Sequence, residues 1–236
     1  MKKVCLVLAV VMMGFASLVS AQKPFTGTIK FHTHIEGTED PNILSQGESD
    51  YSTTLFGNYT KTIISPQEGF GIITIKNGDA KSITMLIDIA DMGKYYIESN
   101  PEKIQEKQKN LDYKYDKTGE KKTIAGYECE KVVVTVTDKE TDESESAVVY
   151  VSTAINSGAD INFRDFPKLN GYPMRIEQKE DVDGTEITMV IEAVEVLPSK
   201  KIKIVDFMLP SDAQDLKSNP QLMKMFGMGG DDEEEE

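Results

Sequence analysis

One long stretch of the chain, residues 119–152, restricts the possible folds more than any other. The valines at even positions within Val132–Val136 lie on one face of a predicted strand, because strand side chains alternate between faces. Residues 147–151 form a continuous apolar run, as expected for a strand covered on both sides. Residues 138–146, between the two, are charged or polar. The stretch therefore predicts two long antiparallel strands joined at an exposed acidic tip.

The first 21 residues have the layout of a secretory signal peptide. Lys2 and Lys3 precede an apolar run over residues 4–15, and small residues follow up to Ala21. The apolar run is shorter than the ~18 residues that a membrane-spanning helix needs. We expect cleavage after Ala21. Cys5 lies inside the apolar run and not at the cleavage point, so it leaves with the signal and cannot become a lipidated first residue.

Charge and cysteine content exclude several classes of protein. The signal contains two lysines and no acidic residue, so its removal leaves 24 basic against 40 acidic residues and shifts the formal net charge from −14 to −16. Nucleic acids and anionic lipids bind to basic surfaces, so neither is an expected partner. The one short basic cluster, Lys200, Lys201 and Lys203, is typical of the exposed face of an edge strand. Cys129 would be the single cysteine of the mature chain, which predicts a fold without disulfides.

Further strands are predicted where apolar and β-branched residues alternate between turn residues. They cover residues 25–35, 49–64, 71–76, 82–89, 94–98, 173–182, 185–196 and 202–208. Gly57-Asn58 is interpreted as a bend or bulge within the second of these. Asn77-Gly78 and Asp183-Gly184 are predicted to be tight hairpin turns.

Helices are predicted to be few and short. Residues 101–109 are charged and helix-prone, with proline in the first turn where it is tolerated. Residues 153–170 fit neither a strand nor a helix period and are predicted to form a loop with a short helical turn, apolar enough to pack down. Ser211 and Asn219 are candidate helix caps, and Leu222–Phe226 has apolar residues at helical spacing. The predicted organisation is a signal peptide over 1–21, a single β-rich domain over 22–226 and a flexible acidic tail over 227–236.

The first predicted strand offers one candidate metal site. His32 and His34 are two residues apart, so their side chains share a face and could bind zinc or copper with an acidic third ligand such as Glu36. The alternative is an ordinary polar strand face, which the lack of a third histidine or of a nearby cysteine to complete the set favours.

Cys129 is the one candidate nucleophile, with a structural thiol as the alternative. No histidine follows residue 34 to activate it, and Glu128 and Glu130 on either side would raise the pKa of the thiol. The interpretation as a half-buried structural thiol is therefore favoured.

The remaining candidates have simpler explanations. Asp181–Glu186 resembles a calcium loop but lacks a distal bidentate glutamate, and a hairpin turn accounts for it. Ser211-Asp212 has no histidine partner, and no nucleophile-elbow motif occurs. Tyr95-Tyr96 and Tyr113 with Tyr115 could line a binding cleft, but a β surface is the favoured interpretation. Met223, Met225 and Met228 could offer soft ligands to Cu(I) or an apolar surface for a partner, but core packing of the last helix is favoured. The sequence thus identifies no catalytic residue, no cofactor-binding residue and no metal ligand, and it predicts no cofactor.

Several segments together resemble a family of proteins. They are FTGTIKFHTHIEG, LFGNYTKTII, GFGIITIKNGDAKSITMLIDIADMGKYYIE, KKTIAGYECEKV, NGYPMRIEQK and IVDFMLPSDAQ, of which Thr123–Cys129 and Gly171–Met174 are the most specific. With these segments the chain resembles an uncharacterised family of secreted Gram-negative envelope proteins, described as a domain of unknown function. The family is similar in plan to the LolA, LolB and LppX type of lipoprotein carriers. The resemblance covers nearly the whole mature chain.

The resemblance implies a mainly β fold: a strongly bent antiparallel sheet, or half-open barrel, whose concave face is covered by short helices or loops. In the carriers the enclosed apolar cavity holds acyl chains. The chain departs from them in two respects. It has only two arginines, Arg164 and Arg175, with no evident counterpart of the arginine on an inner strand of the carriers. Its helical content is also low, so loops are expected over the cavity.

Three functions follow as hypotheses. The first is a non-enzymatic periplasmic or secreted carrier that holds an acyl chain, lipid or lipoprotein. The second is an envelope interaction module with a protein partner and a core filled by its own side chains. The third, an enzyme, is the least favoured, because it would need convergent polar groups with shifted pKa values inside the cleft. Spare volume on an apolar inner face would favour the carrier.

Overall fold

The structure is a computed structural model that describes residues 24–156, 162, 165–182 and 184–227. The predicted signal peptide, Ile161, Phe163, Arg164, Asp183 and residues 228–236 lie outside the described residues. The described part contains twelve strands, three α-helices and two 3-10 helices. It contains no helix long and apolar enough to cross a bilayer.

The strands and helices follow one another in a simple order, with β-strands dominating. The strands are β1 (Thr26–Glu36), β2 (Ser49–Phe56), β3 (Tyr59–Gln67), β4 (Phe70–Asn77), β5 (Ser82–Ile89), β6 (Gly93–Glu98), β7 (Leu111–Ile124), β8 (Tyr127–Asp138), β9 (Ser144–Ser152), β10 (Tyr172–Val182), β11 (Thr185–Pro198) and β12 (Gln214–Asp215). The α-helices are α1 (Pro41–Gly47), α2 (Pro101–Lys109) and α3 (Pro220–Met225). The 3-10 helices are Ile204–Phe207 and Leu216–Ser218.

All twelve strands belong to one open sheet, in the order β12-β6-β5-β4-β3-β2-β1-β11-β10-β9-β8-β7. Neighbouring strands are antiparallel, apart from the short parallel pair of β12 and β6. The predicted central hairpin is confirmed for β8 and β9, which pair from Glu130–Val151 to Thr137–Ser144 with the acidic tip beyond. Residues 119–124, at the start of the predicted first strand, belong instead to β7. The prediction of a mainly β, antiparallel, half-open sheet with few short helices is also confirmed.

The connection through α2 forces this sheet to bend. β6 and β7 are the first and last of eleven consecutive strands in the sheet order, which is ten strand spacings. A flat sheet would therefore place them about 48 Å apart, at ~4.8 Å per spacing. Only residues 99–110 join these strands, and nine of them are helical. At 1.5 Å per helical residue and ~3.6 Å per extended link, the connection reaches about 30 Å at most. The two ends of the sheet must therefore curl towards each other.

The strand register identifies the concave face. Residues paired directly across antiparallel strands share a face, so the pairing can be followed from Met85 on β5 to Tyr113 on β7. The series runs Met85, Thr74, Thr62, Thr53 and Ile29, then Phe31, Ala193 and Ile191, then Ile176, Val149, Val132, and finally Val136 and Tyr113. Met85 and Tyr113 also line one cavity. The face that contains this series is therefore the inner face of the bend.

Two further segments cover the inner face. Leu216 and Leu222, from the C-terminal segment, pack with Ile87 and Tyr95. At the other end of the sheet, Phe166 and the neighbouring Leu169 pack against the β8–β9 valines. The expectation that residues 153–170 form an irregular segment that packs down is confirmed for its described part, in which Ile155 is fully buried.

Two turn predictions were wrong. Gly57-Asn58 is not a bulge in one long strand but the two-residue turn of the β2–β3 hairpin, where the glycine has a φ of +56°. Asn77-Gly78 is not a two-residue turn, because Asn77 pairs with Ser82 and four residues form the loop. The Asn77 side-chain oxygen accepts hydrogen bonds from the amides of Asp79 and Ala80, and Lys81 adopts the positive φ instead of the glycine.

The predicted strand over residues 202–208 was also wrong. The Asp206 side chain accepts the amide proton of Lys203 at 2.8 Å and closes a 3-10 turn. Phe207 is 6% exposed and packs against Phe56 and Tyr59, whereas Val205 is 59% exposed. One buried aromatic anchor thus replaces strand pairing.

Of the two helix caps predicted near the C-terminus, one is correct and one is wrong. Asn219 caps α3 by accepting the amide proton of Leu222 at 3.2 Å, as predicted. Ser211 begins no helix, and the chain after it adds β12 beside β6 instead. The sequence also failed to predict α1, capped by Asp40, and most of the fourteen-residue strand β7.

Candidate active or binding site

A cavity lies on the inner face where the two ends of the sheet approach each other beneath α2. Its volume is about 490 Å³, which falls in the range of small-molecule sites, ~300–1,000 Å³. Ile83, Met85 and Ile97 line it from β5 and β6, and Leu111 and Tyr113 line it from β7. The cavity is therefore a mainly apolar space, partly open to solvent, between opposite ends of one sheet.

Helix α2 forms the third wall, and its sequence explains how. Asn100 caps the helix by accepting the amide protons of Glu102 and Lys103, and Pro101 occupies the first turn. The helical residues at the cavity are Lys103, Ile104, Lys107 and Gln108, a spacing of three and four that defines one helix face. The predicted helix over 101–109 is confirmed, but its role as a cavity wall was not predicted.

Tyrosines dominate the polar chemistry of the inner face. Burial, followed by the charge of Asp165, raises the pKa of Tyr51 and of Tyr113. Burial likewise raises the pKa of Tyr172, and burial together with Tyr113 raises the pKa of Tyr115 to about 12. These phenols are therefore neutral hydrogen-bonding groups at physiological pH and do not act as bases.

The segment over the β8–β9 end of the inner face is held by polar contacts. The Tyr115 hydroxyl donates to the Pro167 carbonyl oxygen at 2.7 Å. Asp165 forms an ion pair with Lys76, on β4. Residues 165–169 thereby connect β7 and β4, and they fix part of the cover across the concave face.

The predicted histidine pair occupies the opposite face of the sheet. His32 and His34 share a face as predicted, with ring centroids 5.6 Å apart. His32 Nδ1 pairs with Asp50 at 2.8 Å and His34 Nε2 with Glu36 at 3.1 Å. In the part of the chain that the structure describes, no three potential metal ligands converge. The geometry is that of two separate surface pairs.

Arg175 lies on the same outer face. It pairs with Glu177 at 2.6 Å, with Glu36 at 3.3 Å and with Glu192. Burial raises the pKa of Glu192, but hydrogen bonds and charge from Arg175 outweigh burial and leave this pKa below its ordinary value. Arg175 therefore stabilises the outer face through an ion-pair cluster and does not line the cavity.

Cys129 is buried in the core, where its thiol is shielded from solvent. The side chain is fully inaccessible and belongs to the cluster that contains Ile29 and Phe31. Burial raises the pKa of the thiol to about 11, and Glu128 contributes in the direction expected from the sequence. This environment agrees with a structural thiol, but the thiol is fully buried and not half-buried as predicted.

The other sequence candidates do not form sites among the described residues. The Asp181 carboxylate accepts the amide proton of Gly184 at 2.9 Å, and Glu186 pairs with Lys179, as in a hairpin turn. Asp212 pairs with Lys94 at 3.2 Å. Tyr95 is buried against the C-terminal segment, with Tyr96 next to it in β6. Tyr113 lies on β7 and lines the cavity.

The methionines of the C-terminal segment differ from one another. Met223 packs against the cluster of Ile87 and Tyr95, as the core interpretation expected. Met225 is 60% exposed. Met228 lies outside the described residues, so the three do not define a ligand set.

Comparison with known proteins adds information on the fold alone. No family model matches the chain, and no curated protein matches it. Two solved structures of PNGF-II, in the P21 and C2 space groups, are similar, with TM-scores of 0.52 and 0.50 and sequence identities of 14% and 12%. The match covers 85% of this chain but only 34% and 33% of the PNGF-II chains. This chain thus spans about a third of the length of PNGF-II, and identity this low relates their folds only.

Proposed function

We propose that this protein is a non-enzymatic carrier that holds an apolar ligand, such as an acyl chain, a lipid or a lipoprotein, in the cavity of its bent sheet. The supporting observation is the apolar volume of about 490 Å³ bounded by Met85, Ile97, Leu111 and Ile104. The proposed setting is the periplasm or the extracellular medium, after cleavage near Ala21.

The sequence resemblance supports the same proposal. LolA, LolB and LppX type carriers use a bent sheet with a covered concave face, and the segments quoted above follow that plan. Membership of the uncharacterised envelope family belongs to this proposal. Arg175 is on the outer face and Arg164 lies outside the described residues, so the proposal assigns no role to an arginine inside the cavity.

Binding of a fluorescent fatty acid to the delipidated mature protein tests the proposal. Met85→Trp and Ile97→Trp place bulk inside the cavity and are expected to weaken binding at least tenfold. Val205→Trp adds the same side chain at a position that is 59% exposed and is expected to bind like the wild type. Thermal unfolding of each variant separates lost folding from lost binding. Equal binding by the wild type and both cavity variants would contradict the proposal.

A second candidate is the envelope interaction module. An exposed apolar patch favours it: Ile204, Val205 and Met208 are 43%, 59% and 65% exposed around the anchored Phe207. Such a patch is typical of a contact surface. Native mass spectrometry of protein purified from its host distinguishes the two functions. A stoichiometric apolar adduct supports the carrier, and a ligand-free mass with a bound protein supports the module.

A further inference from the structure

Helix α2 separates its charges between two faces. Lys103 and Lys107, four residues apart, lie at the cavity with Ile104 between them. Glu102 and Glu106 also follow each other at a spacing of four but are absent from the cavity wall, so they occupy a different face of the helix. Like charges at this spacing destabilise a helix slightly. The helix dipole favours Lys107, which lies in the last turn, but not Lys103 near the start of the helix, so helix stability does not explain both lysines at the cavity.

These lysines differ from the lysines of the sheet. Lys30, Lys117 and Lys121 each form an ion pair at 2.7 Å, as do several other strand lysines. Among the described residues, no carboxylate lies within ion-pairing distance of the ammonium groups of Lys103 and Lys107. Both side chains are exposed at the margin of an apolar space. Two positive charges are thus available there, in a protein with a strongly negative total charge.

The other polar groups at the cavity leave an excess of positive charge. Glu98 has the single carboxylate among the described residues that line the cavity. Ser99, Asn100 and Gln108 are neutral. Two ammonium groups against one carboxylate make this rim a local exception to the net charge of −14. An elongated ligand with an apolar chain and one anionic end would match the rim and the wall together.

We infer that the cavity takes a single-chain amphiphile, with its acyl chain between β5–β6 and β7 and its anionic head, a carboxylate or a phosphate, at Lys103 and Lys107. This inference rests on the proposed carrier function and specifies its ligand. The volume lies in the lower half of the range of ligand sites, ~300–1,000 Å³, which fits one chain better than several. The two lysines determine affinity for the head, and the apolar wall holds the chain.

The test compares oleate, lysophosphatidate and the neutral oleyl alcohol on the mature protein by titration calorimetry below their aggregation concentrations. Exposed ion pairs contribute modestly, so Lys103→Gln and Lys107→Gln are each expected to weaken oleate binding about threefold, and the double variant about tenfold. Lys109→Gln, on the same helix but away from the cavity, is the matched control. Binding of oleyl alcohol should stay within twofold in every variant, and high salt should reduce the preference for the anions.

The outcomes distinguish this inference from the carrier function. A wild-type preference for either anion over the alcohol, lost in the double variant and kept in Lys109→Gln, supports the inference and identifies the head group. Equal affinity for anion and alcohol, or an unchanged double variant, overturns it while leaving the carrier function intact. Failure of all three ligands to bind folded wild-type protein refutes the carrier function itself.

Discussion

Replacement of Phe207 tests the 3-10 turn that occupies the predicted strand over residues 202–208. In a strand, Val205 and Phe207 would share a face and be buried or exposed together. In the structure Phe207 is 6% exposed, whereas Val205 is 59% exposed. The Phe207 ring lies 6.1 Å from the ring centroid of Phe56 and 5.8 Å from that of Tyr59. Phe207 therefore supplies the buried apolar contact of the turn, which the Asp206 hydrogen bond closes.

The magnitude follows from this burial. Removal of a buried phenylalanine destabilises a protein by ~3–5 kcal/mol, and the position of Phe207 on a short peripheral turn places Phe207→Ala near the lower end of that range. Val205→Ala is expected within about 0.5 kcal/mol of the wild type.

Equilibrium unfolding in urea measures both changes, with the slope of each transition as a check that the same surface is exposed on unfolding. Comparable losses for Phe207→Ala and Val205→Ala, or a loss below about 1 kcal/mol for Phe207→Ala, would refute the reasoning.

Three further expectations concern other parts of the sheet. Cys129 should not react with a thiol reagent at pH 8 until the protein is unfolded, because burial raises the pKa of the thiol to about 11; stoichiometric labelling of native protein within minutes would contradict this. Gly171→Ala should lower the free energy of unfolding by about 2 kcal/mol more than Gly126→Ala, since both have positive φ but only at Gly171 would a Cβ meet backbone, at 2.7 Å; equal losses in thermal unfolding would argue against it. The pKa of Glu192 is lowered in the folded state, so its stabilising contribution is present above its ordinary pKa of 4.5 and is lost as pH falls through the folded value. Stability measured from pH 7 to pH 3 should therefore fall less steeply in Arg175→Gln than in the wild type, and identical slopes would exclude this coupling.

The sheet could be predicted from sequence wherever a strand has one regular pattern. Residues 82–89 lie between two turns and have apolar side chains at alternate positions, and their predicted bounds match those of β5. β7 was missed because its charged stretch over residues 116–122 has no apolar alternation, although pairing with β8 holds it in place. Residues 57–58 and 77–78 show a related limit, since a Gly-Asn or Asn-Gly pair signals a turn but side-chain hydrogen bonds and pairing register determine its length.

The candidate site was harder to predict than the fold. Its walls come from β5, β6, α2 and β7, and each contributes residues that are ordinary within their own segment. Tyr113 and Met85 meet only because the short connection through α2 bends the sheet. The spacing of Lys103, Ile104 and Lys107 could have indicated a helix face with a function, but the sequence does not show what that face covers. The histidine pair was the more conspicuous signal, and it lies on the outer face.

Methyl NMR spectroscopy of the mature protein with bound oleate tests the central claim most directly. Isoleucine, leucine, valine and methionine methyl groups are labelled, and contacts between the acyl chain and the protein are measured as nuclear Overhauser effects. The carrier function requires contacts to Ile83, Met85, Ile97 and Leu111, which line the cavity. Contacts confined to the exposed patch of Ile204, Val205 and Met208, or no contacts at saturating oleate, would contradict it.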